Sequence, residues 1–156
     1  MAQTELQITL TDEAATAALA ARIAAILRPG DTLLLEGEIG AGKTAFARAA
    51  IRAMLGRAED VPSPTFTLVQ TYDTPQGPVW HFDLYRLTHP DEVLELGLDQ
   101  ALAEAICLIE WPDRLGADSP SDALNLAFEA RATDHAVTLT MPDVWAERIK
   151  ALDVRA

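Results

Sequence analysis

The stretch TLLLEGEIGAGKT, Thr32 to Thr44, sets the fold class of this chain. Its first five residues form an apolar run closed by an acid, the pattern of a strand buried on both faces. Residues Gly37 to Thr44, GEIGAGKT, then satisfy the spacing G-x-x-x-x-G-K-[ST]. Glycine at Gly37 and Gly42 lets successive backbone N–H groups turn inward around phosphate oxygens, and a helix opening at Lys43 adds its positive dipole end. Lys43 is placed to reach the β- and γ-phosphates, and the Thr44 hydroxyl to sit on Mg²⁺. Only two lysines occur in the chain, Lys43 and Lys150. One of them falls inside the loop, where a compact ammonium is not interchangeable with arginine. A nucleoside triphosphate with Mg²⁺ is therefore expected against Gly37, Glu38, Ile39, Gly40, Ala41, Gly42, Lys43, Thr44 and Ala45.

Outward from this stretch the chain alternates strands and helices. Upstream, Leu6 to Leu10 alternates weakly like a strand, and Thr11 offers an N-cap to a helix whose Ala15, Leu19, Ile23 and Leu27 recur at helical spacing before Pro29-Gly30. Downstream, the spacing predicts a helix from Lys43 to about Leu55, closed by Gly56. Beyond Pro62 and Pro64, Thr65 to Tyr72 reads as a strand, Thr74 to Pro78 as a turn and Val79 to Leu84 as the hairpin partner. Asp91 to Leu96 and Asp99 to Ala105 read as short helices, and Ile106 to Glu110 as a second buried strand ending in an acid. Leu124, Leu126 and Phe128, then Val137, Leu139 and Met141, alternate with mostly polar residues and predict a second antiparallel pair. Pro142 can open a last helix through Leu152. The expected class is α/β: a phosphate-loop NTPase-type three-layer α/β/α fold with a mixed central sheet including antiparallel hairpins, in one domain over residues 1–156.

Composition narrows the function classes. Twenty-four acidic against 12 basic residues give a formal charge of −12, which would repel a polyphosphate backbone over most of the surface and disfavours autonomous nucleic-acid binding. No apolar run approaches the roughly 20 residues that span a bilayer, and the first ten residues have no signal-like pattern, so a cytoplasmic protein without membrane contact is expected. Cys107, the single cysteine, sits in the apolar run Ile106 to Ile109 and reads as a small buried hydrophobe.

A phosphate site also needs an acid near its metal, commonly at the end of a neighbouring apolar strand. Glu110, closing ICLIE, fits that place; Asp113 is the rival, since Asp113 to Gly116 matches a short D-x-x-G pattern. No N-K-x-D guanine-reading motif occurs, which favours adenine. Asp83 in HFDLYRL lies opposite Phe82 and Leu84 by strand alternation. It could orient an attacking water or form an ion pair with Arg86. Asp83 and Lys43 are the candidate catalytic residues, and Thr44 with Glu110 the candidate metal ligands. Thr65, after Pro64, is a candidate hydroxyl sensing the terminal phosphate. His81 reads as a strand residue rather than a metal ligand, because His89 and His135 show no ligand spacing with it.

Four blocks, GEIGAGKT, SPTFTLVQTYD at Ser63 to Asp73, HFDLYRL at His81 to Leu87 and LIEWP at Leu108 to Pro112, together with Glu95-Leu96-Gly97, cover most of Leu33 to Pro112. In order and spacing they resemble the TsaE family, also called YjeE. The resemblance implies a small ATPase working with TsaD-like and TsaB-like partners to form threonylcarbamoyladenosine beside the anticodon of tRNAs that read codons beginning with A. It further implies that TsaD makes the group transfer and that tRNA is met through the complex. By position, Lys43 and Thr44 would serve the phosphates and Mg²⁺, Glu110 the Mg²⁺ and Asp83 hydrolysis. Thr65 would be the switch threonine, and Trp111 an aromatic beside the nucleotide. Two other readings share the loop: a small-molecule kinase, and a module in which ATP only organises a docking surface. A chain of 156 residues leaves little beyond the phosphate-binding core for a kinase's acceptor site and closing lid.

Overall fold

The computed structural model describes residues 3–56, 61 and 68–152. In chain order the elements are β1 (Thr4–Leu10), α1 (Glu13–Ala24), β2 (Thr32–Glu36), α2 (Lys43–Leu55), β3 (Val69–Thr74), β4 (Gly77–Asp83), α3 (Asp91–Glu95) and α4 (Leu98–Glu104). They continue with β5 (Ile106–Glu110), a 3-10 segment (Pro112–Asp118), β6 (Leu124–Ala130), β7 (His135–Met141) and α5 (Asp143–Ala151). The seven strands form one sheet in the order β1-β7-β6-β2-β5-β4-β3. Strands β6, β2, β5 and β4 run parallel to their neighbours within this set, while β7 and β3 run antiparallel to the strands beside them.

Alternation along the buried strands divides the core in two. Leu33, Leu35, Leu108 and Leu126 face α1, α2 and α5, where they pack with Leu19, Ile23, Phe46, Ile51 and Ile149. Leu34, Phe82, Cys107 and Ile109 face the other way, toward Val93, Leu98, Ala101 and Leu115. The sheet is thus covered on both sides, which gives the expected three-layer α/β/α arrangement. Burial of a Leu, Ile or Phe side chain contributes about 1.5–3 kcal/mol, so the two faces together hold the layers. Cys107 is fully buried, and burial pushes its thiol up to about 12, as suits a core residue.

Several boundaries differ from the sequence reading, each for a local reason. The N-cap of α1 is Asp12 rather than Thr11: its extended backbone lets Oδ1 accept from the Ala15 N–H at 2.8 Å. Helix α1 ends at Ala24, yet Leu27 stays in the core. The side-chain amide of Gln76 donates to the carbonyls of Ala24 and Leu27, at 2.9 and 2.8 Å, and so braces the helix end. The expected strand from Thr65 falls partly on residues outside those described; from Val69 the strand extends to Thr74, beyond the expected end at Tyr72. Its pairing reaches Thr74↔Gly77, and Thr74 Oγ1 donates to the Gly77 carbonyl at 2.8 Å, so the turn holds two residues instead of five. Strands β6 and β7 pair as expected, but β6 also lies parallel to β2, and β7 receives β1.

Candidate functional site

The carboxyl end of β2 lies between β5 and β6, and there the chain leaves the sheet through Gly37 to Gly42. Gly37 has φ +139°, and a Cβ there would stand 2.6 Å from the Phe128 carbonyl oxygen of β6. Glycine is dictated by that close approach. Gly42 has φ +114° and caps α2 without a side-chain hydrogen bond, so no side chain of the cap residue satisfies the first N–H groups of the helix.

Lys43 follows and is almost fully buried. Its Nζ donates to the carbonyls of Gly37 and Glu38 at 2.5 and 2.9 Å, and lies 4.2 Å from the centre of the Trp111 ring. Burial holds its pKa below that of an ordinary lysine, although Glu110, Asp83 and Glu38 oppose the shift. One position on, the Thr44 hydroxyl donates to Glu110 Oε1 at 2.7 Å.

Sheet register supplies the acids. Parallel pairing places Glu110 opposite Leu35 of β2 on one side and Asp83 of β4 on the other. Alternation aims His81, Asp83 and Glu110 at the face covered by α2. Asp83 is buried, and its Oδ1 accepts from the Tyr85 N–H at 3.1 Å where the chain turns out of β4. Trp111 adopts a left-handed conformation, φ +61°, immediately after Glu110, and its ring meets that of Tyr85 at 4.9 Å. Such a conformation is costly for a tryptophan and is held by its surroundings. It folds the ring back over Lys43.

These side chains enclose a cavity of about 410 Å³ lined by Gly42, Lys43, Thr44, Asp83, Glu110 and Trp111, with Ile39, Gly40, Ala45, Tyr85 and the exposed Arg86 around them. A second cavity, about 490 Å³, meets it at Gly40, Gly42 and Ala45 and is bounded by Thr11, Asp12, Arg131 and Asp134. Gly37 and Glu38 do not line the first cavity; they give their carbonyls to Lys43. Ala41 turns its methyl into the core. Asp113 is 67% exposed on the 3-10 segment and lies outside both cavities, so the acid meeting Thr44 is Glu110. Thr65 lies outside the described residues.

A hydroxyl and two carboxylates converge here, all hard oxygen donors. Among the described residues no group of three or more His, Cys, Asp or Glu side chains is set to hold a metal alone. That donor set fits Mg²⁺, which takes one or two carboxylates and completes its shell with phosphate oxygens and water.

Comparison with known proteins follows the same outline. The sequence model for "Threonylcarbamoyl adenosine biosynthesis protein TsaE" matches residues 10–137, most of the chain. The chain belongs to the TsaE family. The Rickettsia bellii TsaE described as a tRNA threonylcarbamoyladenosine biosynthesis protein is 45% identical over 107 residues, covering 69% of this chain and 74% of its own. The Bacillus subtilis TsaE of the same description is 38% identical over 120 residues, with 76% and 74% covered. A crystal structure of Bacillus subtilis YdiB superposes with a TM-score of 0.80 at 28% identity, covering 98% of this chain and 97% of that one. The chain thus has the phosphate-loop α/β fold of its family and belongs to the biosynthesis of threonylcarbamoyladenosine in tRNA. Among the described residues, no helix is long and apolar enough to cross a membrane.

One residue of the candidate site was not expected there from the sequence. His81 is a strand residue, as expected, but its Nε2 lies 2.7 Å from Glu110 Oε2 with both side chains fully buried. The signal was the His-x-Asp spacing of β4, which places both residues on one face. The register that sets that face against Glu110 is not written in either strand.

Proposed function

We propose that this chain hydrolyses ATP in the presence of Mg²⁺, and that it does so in the cytoplasm with TsaD-like and TsaB-like partners while they form threonylcarbamoyladenosine on tRNA. The observation carrying this reading is the 2.7 Å bond between Thr44 and Glu110 at the start of α2, with Asp83 in register beside Glu110. A hydroxyl, two acids and an ammonium meet where a helix N-terminus concentrates positive potential.

In this reading the phosphates lie in the first cavity against Gly40 to Ala45, and the nucleoside extends toward the second, across the shared Gly40, Gly42 and Ala45. Lys43 exchanges the carbonyls of Gly37 and Glu38 for phosphate oxygens. Thr44 and Glu110 would hold Mg²⁺, which when bound neutralises charge on those oxygens. Asp83 accepts a hydrogen bond from the attacking water and fixes its line of approach to the terminal phosphorus; the bond to the bridging oxygen then breaks and ADP leaves with inorganic phosphate. Trp111 and Tyr85 wall the cavity against bulk solvent. Thr65 is assigned the sensing of the terminal phosphate. The threonylcarbamoyl transfer itself belongs to the TsaD-like partner, and tRNA is met through the complex.

Phosphate release measured with the chain alone, with the partner pair, and with the pair plus tRNA tests this. Partner-stimulated release that is lost in Lys43→Ala is expected. Release no greater than that of Lys43→Ala under every condition would leave ATP a purely structural role, and phosphate accumulating on an acceptor would make the chain a kinase.

A further inference from the structure

Glu110 is 1% exposed, at the end of the strand ICLIE, and its two oxygens have different partners. Thr44 takes Oε1, and His81 Nε2 takes Oε2, each at 2.7 Å. A carboxylate oxygen only accepts, so with Glu110 as the carboxylate the hydrogen of this contact lies on His81 Nε2. Among the described residues His81 Nδ1 is buried without a hydrogen-bond partner, so it is best left bare, since an unpaired buried N–H is costly. The ring is therefore held as the tautomer that donates to Glu110.

We propose that His81 is a positioning residue: its Nε2–H anchors Oε2 of Glu110, so that Oε1 is aimed at Thr44 before nucleotide and Mg²⁺ arrive. This rests on the reading of Thr44 and Glu110 as the metal side of the site. Without the anchor, a buried carboxylate with one bare oxygen could turn about its last torsion and lose its aim. When Oε1 gives up the Thr44 hydroxyl for a cation, Oε2 remains fixed, which spares the cost of ordering the ligand at the moment of binding. Partners of this kind, removed from metal sites, typically cost 10- to 100-fold in metal affinity.

The test is binding of a fluorescent ATP analogue, titrated at a series of Mg²⁺ concentrations and again in chelator. Wild-type protein should show tightening with Mg²⁺. His81→Leu should need about 10-fold or more Mg²⁺ for half of that tightening, while its affinity in chelator stays within about twofold of wild type. His81→Gln, whose amide nitrogen can stand near the place of Nε2, should recover most of the loss, and His81→Asn, too short to reach Glu110, should not. An unchanged Mg²⁺ dependence in a folded His81→Leu, or its equal weakening with and without Mg²⁺, overturns the proposal, and so does equal behaviour of the Gln and Asn variants whether or not the Leu variant folds. Absence of any Mg²⁺ effect in wild type would instead overturn the reading of the whole site, and the proposal with it. Nitrogen-15 NMR of the free protein supplies a check without nucleotide: of its three histidines, the one lost in His81→Gln should show its hydrogen on Nε2, and a hydrogen on Nδ1 alone overturns the assignment.

Discussion

Lys43 is almost fully buried and its Nζ donates to the loop's own carbonyls, so in the proposed reading it stands where phosphate oxygens would be met. Replacing it removes charge-assisted hydrogen bonds of about 1.5–3 kcal/mol each to a bound triphosphate. Lys43→Ala should therefore weaken ATP binding by about 100-fold in a calorimetric titration, and unchanged affinity would remove Lys43 from the site. Asp83 makes a different prediction, because it faces the cavity without belonging to the loop. Asp83→Ala should leave ATP affinity within a few-fold and slow phosphate release by about 100-fold or more; loss of binding would make Asp83 structural. Glu110→Ala strips the partner from Thr44 and from His81 together. It should raise the Mg²⁺ requirement and cost about 1–3 kcal/mol of stability through the unsatisfied groups left behind, whereas the exposed Asp113→Ala should change stability by no more than about 0.5 kcal/mol and leave Mg²⁺ dependence alone. The reverse pattern in denaturant titrations and binding curves would reassign the acid. At this scale, residues whose placement is set by near neighbours in sequence were legible. Lys43 and Thr44 were, since loop and helix start are contiguous. His81 was not, because its partner is 29 positions away, and the left-handed turn at Trp111 has no composition cue such as glycine.

Among the elements, β2, its loop and α2 matched the sequence reading end to end, Gly56 cap included, because a buried strand, a glycine turn and a capped helix each leave a local pattern. What the pattern did not contain was β6 as the neighbour of β2: a parallel pairing across more than eighty residues depends on which apolar faces fit, and alternation alone leaves that open. That hidden neighbour explains the first glycine of the loop. Gly37→Ala would push a methyl to 2.6 Å from the Phe128 carbonyl oxygen at a φ of +139°, and that carbonyl is backbone held in β6. The expected loss is about 2–4 kcal/mol, seen as a fall in melting temperature of about 4–16 °C along with weakened nucleotide binding. A variant that melts with wild type would show that the loop and β6 can separate freely. The short hairpin turn has the same origin: Gln76 is drawn inward to cap α1, a demand invisible in a run of turn-forming residues.

At the scale of the whole molecule, charge decides what the chain can do alone. A formal charge of −12 over 156 residues makes the chain strongly acidic, and Lys43, one of its two lysines, is turned into the first cavity. This property was fully legible in the composition, since net charge does not depend on how strands pair. It fits a subunit that acts on tRNA chemistry through partners. Protein–nucleic acid affinity that comes from neutralised phosphates strengthens as salt is removed, because counterions are released on binding. An acidic protein lacks that driving force, and dilution of salt instead exposes its repulsion from the phosphate backbone. In a filter-retention assay the isolated chain should therefore hold no tRNA at about 0.15 M salt, and lowering the salt to about 0.02 M should not create retention. Adding the TsaD-like and TsaB-like pair should retain tRNA, and an affinity that tightens at low salt would place the phosphate contacts on the partners. A micromolar affinity of the chain alone that strengthens as salt falls would reveal a basic patch strong enough to overcome the net charge, and the chain would then have to be treated as an RNA-binding subunit in its own right.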